Sequence, residues 1–401
     1  MTTGSRELPT DTARAAVATL FFVNGAVLAS WVPHIPMVQM KLNLGAAVLG
    51  VALLAMAAGA LLAIPLVGWF IPRVGSRRVV RISAMVFVAA LCLPILAPNL
   101  PALMATLVLF GAGNGAMDVS MNAQAAAVER QLGRPTMSSF HGMWSVGGLA
   151  GAGACAVALH LGVDPVAHVL GAATVLGGAG LVALGLLLPP NADVDDERPR
   201  IARPSGVLIG LGVMALLALL AEGSMGDWSA VYLQLSLGTS ADVAAIGFAA
   251  FQLTMAAGRF AGDRLVGHLG NELVMRASAS LAAIGLGAAL VLGHPVAAIA
   301  GCACVGLGLS NLIPILFRTA SQLPGISAGH GIAAVSTAGY CGFLAGPPLI
   351  GLCAQLLTLP VALGVVVLSL AWIAASARRI DARGCVVEVS VRGERARGRS
   401  A

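Results

Sequence analysis

Apolar runs long enough to cross a lipid bilayer recur from one end of this chain to the other, and no other feature constrains the fold as tightly. Twelve of them, separated by polar residues or by Pro and Gly, fall at about 15–38, 46–71, 79–97, 101–127, 137–161, 166–188, 206–233, 243–262, 273–292, 295–318, 329–356 and 360–377. Roughly 20 apolar residues of helix span a hydrocarbon core. Backbone polar groups have no water there and must be satisfied within the segment, so each run is expected to be a helix. In a chain of 401 residues, twelve crossings leave no length for a sizeable soluble domain. Composition agrees: 10% of the residues are charged, against about 25% in soluble domains, and mean hydropathy is +0.91. A cytosolic enzyme and a nucleic-acid binder are thereby excluded. The 50 glycines suit helices that approach one another through small residues.

The basic residues test the count. All 23 except Lys41 are Arg. Arg73, Arg77, Arg78 and Arg81 fall between spans 2 and 3, Arg130 and Arg134 between 4 and 5, and Arg198, Arg200 and Arg203 between 6 and 7. Arg264 and Arg276 fall between 8 and 9, Arg318 at the 10/11 turn, and seven more Arg follow span 12, while the opposite loops hold only Lys41. By the positive-inside rule both termini are cytoplasmic. The formal net charge of +6 is therefore a topology signal and does not imply a nucleic-acid partner. The Arg-rich tail reads as a solubilising segment, with contact to anionic lipid headgroups as the alternative. No cleavable signal is expected, because the first apolar run is too long and its polar leader carries both charge signs.

The seven Cys show no CxxC and no Cys/His spacing that would build a zinc site, and Cys302 and Cys304 lie on different faces of one apolar helix, so packing is their expected role and no metal is expected. The longest polar interruption carries Asp193, Asp195, Asp196 and Glu197. It divides the chain into a leader (1–14), a six-helix bundle (15–188), a central loop (189–205), a second six-helix bundle (206–377) and a basic tail (378–401). An internal repeat supports the division. Gly111 and Gly113 recur as Gly306 and Gly308, and GGLAGA at 147–152 recurs as GFLAGP at 342–347, both at an offset of 195. Asn24-Gly25 matches Glu222-Gly223 at a similar offset. Two related helical bundles side by side form a transporter arrangement, with a site at the midplane between them.

Gly68, Arg73, Gly75, Arg77 and Arg78 follow the pattern of the loop after span 2 in the major facilitator superfamily, with Pro72 where that family carries Asp, and Gly258 to Arg264 is a looser second copy. The chain resembles that superfamily over nearly its whole length, which implies an all-α fold of twelve transmembrane helices in two pseudo-symmetric bundles. The resemblance also implies that these loops act as cytoplasmic latches. With Pro72 in place of Asp, the larger gating role is expected at Asp263 and its neighbour Arg264. The stretches Ser138 to Ser145 and Glu222 to Ser229 are similar to a bacterial branch related to fucose permease and rhizopine permeases. A multi-pass protein of the bacterial cytoplasmic membrane is implied. Span 5 lacks the Gly-Pro signature of drug/proton antiporters, and span 4 lacks their basic residue.

A carboxylate near the bilayer centre costs about 2.5 to 3.5 kcal/mol on insertion scales, so each one within a span is a functional candidate. Asp118, Glu222 and Asp227 qualify, with Asp227 nearer the outer mouth. Asn114, Asp118 and Asn122 are spaced i, i+4, i+8 and form one polar stripe on span 4, expected to face a cavity or to bond a neighbouring helix. Glu222 is expected opposite Asn24, either as a proton carrier or as a static partner of that amide. Desolvation can bring a buried carboxyl's proton exchange near neutrality, which proton coupling requires. His141, a turn inside span 5, is a candidate relay. Trp31, Trp144 and Tyr340 can stack on a sugar or polyol, while Trp69 and Trp372 suit the interfacial belt. Asn24, Asn311, Gln252 and Gln355 supply neutral donors and acceptors. Few buried cations are apparent, which argues against a strongly anionic substrate.

The reading that follows is a non-enzymatic secondary transporter, a symporter of a small polar solute such as a sugar or polyol, driven by protons or another ion gradient without a bound cofactor. Its partners are the solute, protons and the bilayer, and its functional unit is a monomer. An efflux carrier for amphipathic compounds is the alternative, and a non-transporting sensor on the same fold is a minor one. No Walker-type Gly-x-x-x-x-Gly-Lys-Ser/Thr stretch is present.

Overall fold

A computed structural model describes residues 10–44, 46–189 and 206–380. The stretch from Asp193 to Arg203, the leader before Thr10 and the basic tail after Ile380 lie outside the described residues. The described residues form helices and no strand. In the first half these are α1 (Thr10–Trp31), α2 (Ile35–Lys41), α3 (Ala46–Val74), α4 (Ser76–Ala90), α5 (Leu93–Leu96), α6 (Leu100–Leu132), α7 (Met137–His160) and α8 (Pro165–Gly185). In the second they are α9 (Gly206–Val231), α10 (Ala241–Leu292), α11 (Pro295–Leu309), α12 (Leu312–Ser321), α13 (Ala328–Leu356) and α14 (Leu359–Ser376). Short polar signals set the ends. The Asn99 side chain accepts from Ala102 N at 3.0 Å to start α6, and Gly133, with φ of 63°, ends it.

Eleven of these helical segments are apolar and long enough to cross a membrane. One of them crosses twice. At 1.5 Å per residue a helix as long as α10 extends about 78 Å, more than twice the hydrocarbon thickness, and it is broken at Gly270, where φ is 81° and ψ 164°. Gly75 makes the same corner between α3 and α4 with φ 80° and ψ 145°, 195 residues earlier. A side chain is strained in that conformation, so glycine marks the turn in each half. The described residues thus make twelve crossings, and Thr10 and Ile380 lie at one face of the bundle, called here the terminal face. Crossing ten departs from a single helix, since α11 and α12 meet at a break at Ser310 and Asn311.

The repeat seen in the sequence is a repeat of backbone packing. A Cβ on Gly111 would strike the Met56 carbonyl, and one on Gly306 the Phe251 carbonyl; both partners are displaced by 195. Gly113 lies against Phe87 and Gly308 against Ala282, at the same displacement. Gly147 and Gly151 of α7 pack on the carbonyls of Phe22 and Ala26 in α1, and Gly342 and Gly346 of α13 pack on those of Leu216 and Leu220 in α9. Here α9 is displaced from α1 by 194. The register pairs Glu222 with Leu28 and Asn24 with Ala218, so the expected equivalence of Asn24 and Glu222 is wrong by one helical turn. The shared following glycine produced the false match.

Candidate functional site

Between the two halves lies a chain of neutral polar groups. Trp144 Nε1 on α7 donates to Asn24 Oδ1 on α1 at 2.9 Å. Asn24 Nδ2 donates to Asn114 Oδ1 on α6 at 3.2 Å, and Asn114 Nδ2 donates to the Tyr340 hydroxyl on α13 at 3.3 Å. Both amides are buried, where an unpaired polar group is costly. Each accepts through oxygen and donates through nitrogen, which gives the chain a direction. Tyr340, the last acceptor, belongs to the second half and keeps its own hydroxyl hydrogen to donate.

One turn along α6 from Asn114 stands Asp118, whose Oδ1 accepts from Asn122 Nδ2 at 3.1 Å. Asn122 Oδ1 in turn meets His141 Nε2 at 3.2 Å, which requires the imidazole to donate there. His141 is enclosed by Phe21 of its own half and Phe317 of the other, with ring centroids 5.2 and 5.9 Å away. The predicted stripe of Asn114, Asp118 and Asn122 is therefore one continuous polar face leading from Tyr340 toward the terminal face.

Beside this face lies an ion pair. Arg259 of α10, 6% exposed, donates to Ser145 Oγ at 2.7 Å and places Nη2 3.7 Å from Glu222 Oε1. Its guanidinium carbon is 5.7 Å from the Trp144 ring centroid. Glu222 thus faces a cation rather than Asn24, whose hydrogen bonds go to Trp144 and Asn114. The expectation of few buried cations is also overturned, because Arg259 and Arg318 are both buried. Arg259 falls within the predicted eighth span, but its place in the loop-like motif Gly258 to Arg264 disguised it as a loop residue.

At the terminal face the ionic contacts converge on the start of α7. Asp263 of α10 accepts from Ser138 N at 2.9 Å, from Ser139 N at 2.8 Å and from the Ser139 hydroxyl. Glu129, near the end of α6, accepts from Thr136 N at 2.7 Å and Met137 N at 2.9 Å. These N–H groups have no partner within the helix, and its dipole favours negative charge there. Arg318 of α12 grips both Glu129 oxygens, one through Nε and the other through Nη2 at 2.8 Å. The same Nη2 stands 3.7 Å from Asp263 Oδ1. Sequence reasoning missed Glu129, since span 4 was expected to end at residue 127, and read Arg318 only as a topology marker.

The pseudo-symmetric corner is apolar. A Cβ on Gly68 of α3 would strike Ala333 of α13, and Gly329 lies against Ile71. The displacement of 195 makes Gly68 the counterpart of Asp263, and Ala333 that of Ser138. Gly267, and not Asp263, therefore holds the position equivalent to Pro72. Of the arginines expected in latches, Arg73 and Arg77 bond within their own half. Arg73 Nη1 donates to Trp69 O at 2.5 Å, with its guanidinium 3.7 Å above the Trp69 ring. Arg77 Nη2 donates to Gly185 O at 2.9 Å, capping α8 within its own half. Arg78 and Arg264 are exposed.

The other candidates lie apart from this network. Asn311 Nδ2 donates to Gly258 O at 3.1 Å and ties the α11–α12 break to α10. Asp227 is exposed on α9, more than a turn beyond Glu222, and Gln252 and Gln355 are exposed as well. Of the contacts named above that join the halves, Asn114–Tyr340 lies farthest from the terminal face.

Comparison with known proteins accounts for this architecture. The family model of the Major Facilitator Superfamily matches residues 17–347. An uncharacterized MFS-type transporter of Yersinia pestis is 40% identical over 361 residues, covering 90% of this chain and 94% of that one. The membrane protein MosC of Rhizobium meliloti is 40% identical over 344 residues, 85% of this chain and 83% of that one. Among solved structures, the major facilitator transporter FucP in its outward conformation shares the fold, with a TM-score of 0.78 at 16% identity, over 92% of this chain and 98% of that one. With twelve helical crossings in two repeated halves and a family match over most of its length, the chain belongs to the major facilitator superfamily and is a multi-pass membrane transporter.

Proposed function

We propose that this protein is a proton-coupled symporter of a small, neutral, hydroxyl-rich solute in the bacterial cytoplasmic membrane, working by alternating access with its terminal face in the cytoplasm. One observation carries the reading: the directional chain Trp144–Asn24–Asn114–Tyr340 lies where the halves meet and offers neutral donors and acceptors beside an indole face. A polyol or sugar needs such groups for its hydroxyls, and an aromatic face for its C–H side. Arg259 does not make the site cationic, because Glu222 matches its charge. This supports a neutral solute for a different reason than a lack of buried arginine. FucP, described as a fucose:proton symporter, agrees in kind.

Asp118 carries the proton. Glu222 has a cation beside it, whereas the side-chain partner of Asp118 is the neutral Asn122 amide. Protonated, Asp118 adds no charge to the reorienting halves, and the membrane potential contributes about 2.3 kcal/mol per proton per 100 mV. The ionic contacts at the terminal face hold the carrier open to the outside until solute and proton are bound.

The test is uptake of a labelled sugar and polyol panel into proteoliposomes under an imposed pH gradient. Wild type should accumulate at least one solute only with the gradient. Asp118→Asn should lose accumulation and keep solute exchange, and Glu222→Gln should lose both. If no member of the panel moves, or Asp118→Asn accumulates like wild type, the reading is wrong.

A further inference from the structure

Away from the inter-half network, three soft or borderline donors from distant parts of the sequence meet inside the first half. His34 Nε2 lies 3.0 Å from His168 Nδ1 and 3.4 Å from Cys155 Sγ, and one ligand atom from each residue falls within 4.8 Å of the others. His34 is 1% exposed and Cys155 fully buried. His34 sits in the short helical turn after α1, Cys155 near the end of α7, and His168 in the first turn of α8. All three ends lie at the face opposite the terminal face. Because the three residues are spread over 134 positions, no local Cys/His spacing could reveal them.

We propose that His34, Cys155 and His168 form a resident binding site for a thiophilic d10 metal cation, zinc(II) or copper(I). The spacing fits one ion. Zn–N bonds of about 2.0 Å and a Zn–S bond of about 2.3 Å, in tetrahedral array, put ligand atoms about 3.3 to 3.5 Å apart. The His34–His168 and His34–Cys155 separations lie within a few tenths of an ångström of that, and the third side of the triangle is within 4.8 Å. The donor set of two imidazoles and one thiol is the type that zinc and copper prefer over hard cations. With Nε2 on the ion, the neutral imidazole of His34 carries its proton on Nδ1, which is buried without a hydrogen-bond partner. Binding takes the thiol to a thiolate and releases its proton to solvent, and water completes the coordination.

The ion is a fixture and not cargo. All three ligands belong to the first half, so no part of the site opens when the halves rock. Cys155 stands 11 residues beyond Trp144 on α7, roughly 16 Å along the helix, well clear of the polar chain. An ion there ties the outer end of α1 to α7 and α8. Of these, α1 and α7 are also joined deeper, through Trp144–Asn24 and their glycine packing. The metal thus makes the first half a stiffer rigid body.

Purified, untagged full-length protein is titrated with zinc(II), and separately with copper(I) under reducing conditions, each against a chelator of known affinity. Bound metal is counted after desalting, and thermal unfolding is followed with and without it. Wild type should hold one equivalent of at least one of the two ions and melt at higher temperature with it. His168→Gln and Cys155→Ser should each weaken binding at least tenfold and lose the thermal shift, while Cys92→Ser keeps both. His168 lies half-buried at a helix start, so His168→Gln remains informative should Cys155→Ser fold poorly. Cobalt(II) adds a readout that stability cannot mimic: its thiolate charge-transfer band should vanish in Cys155→Ser and persist in Cys92→Ser. Absence of stoichiometric binding of either ion, or binding that survives His168→Gln unchanged, overturns the proposal.

Discussion

At the scale of the residue, Arg259 sets the electrostatics of the centre. Its guanidinium is buried and its charge is met by Glu222, whose side chain is 20% exposed. Removing one member of a buried pair leaves an uncompensated charge and costs about 3 kcal/mol, whereas replacing both can be neutral. Glu222→Gln and Arg259→Met should therefore each lower the unfolding temperature in detergent, and the double variant should recover most of the loss. A double variant as unstable as the sum of the singles would show that the two charges do not act as a pair. Carboxylates in the centre were legible because a charge within an apolar run stands out, and the i, i+4, i+8 stripe on α6 formed one face as expected. Partners were not legible. Glu222 meets a residue 37 positions away on another helix, and it stands one helical turn beyond Ala218, the true counterpart of Asn24, a shift that no local pattern marks.

At the scale of the element, the repeated glycines are places where one helix backbone rests on another. The offset of 195 was readable because a carbonyl pressed against the backbone of the facing helix leaves no room for a side chain, so glycine recurs wherever that packing recurs. A larger residue at such a point must push two helices apart, and overpacking costs about 1 to 3 kcal/mol or more. Gly147→Leu and Gly342→Leu, at equivalent points of the α1–α7 and α9–α13 pairs, should both destabilise by at least that amount. Gly153→Leu on α7 has open space around it and should be tolerated, with a gain of up to about 1 kcal/mol in helix propensity. Thermal unfolding of the three purified variants decides. If Gly153→Leu is as damaging as Gly147→Leu, close helix–helix approach is not what the repeat preserves. The break within crossing ten escaped notice because Asn311 fills it by bonding to α10, a tertiary compensation that leaves hydropathy unchanged.

At the scale of the whole molecule, the halves are joined at the terminal face by two unlike corners. One is the apolar packing of Gly68 and Ile71 on Gly329 and Ala333, and the other is the ionic cluster of Asp263, Glu129 and Arg318 on the first turn of α7. Twelve crossings and two related halves could be read from hydropathy and charge alternation, but which face is closed depends on interactions between segments 125 to 265 residues apart. The apolar corner has no specific bond to break. On the proposed reading, opening of this face is governed by the ionic corner, where both carboxylates also satisfy helix N–H groups that would otherwise need water. Glu129→Gln or Arg318→Met should shift the population toward the form open at the terminal face. Ser336, 1% exposed on α13 and 195 residues after His141, reports this when replaced by the near-isosteric Cys. Maleimide labelling of Ser336→Cys, quantified by peptide mass spectrometry, should be slow in an otherwise wild-type chain. It should speed up about tenfold when Glu129→Gln is added, the rate equivalent of about 1.4 kcal/mol. Unchanged labelling would place the closing energy in the apolar corner instead, and Gly68→Leu would then be the substitution that opens the molecule.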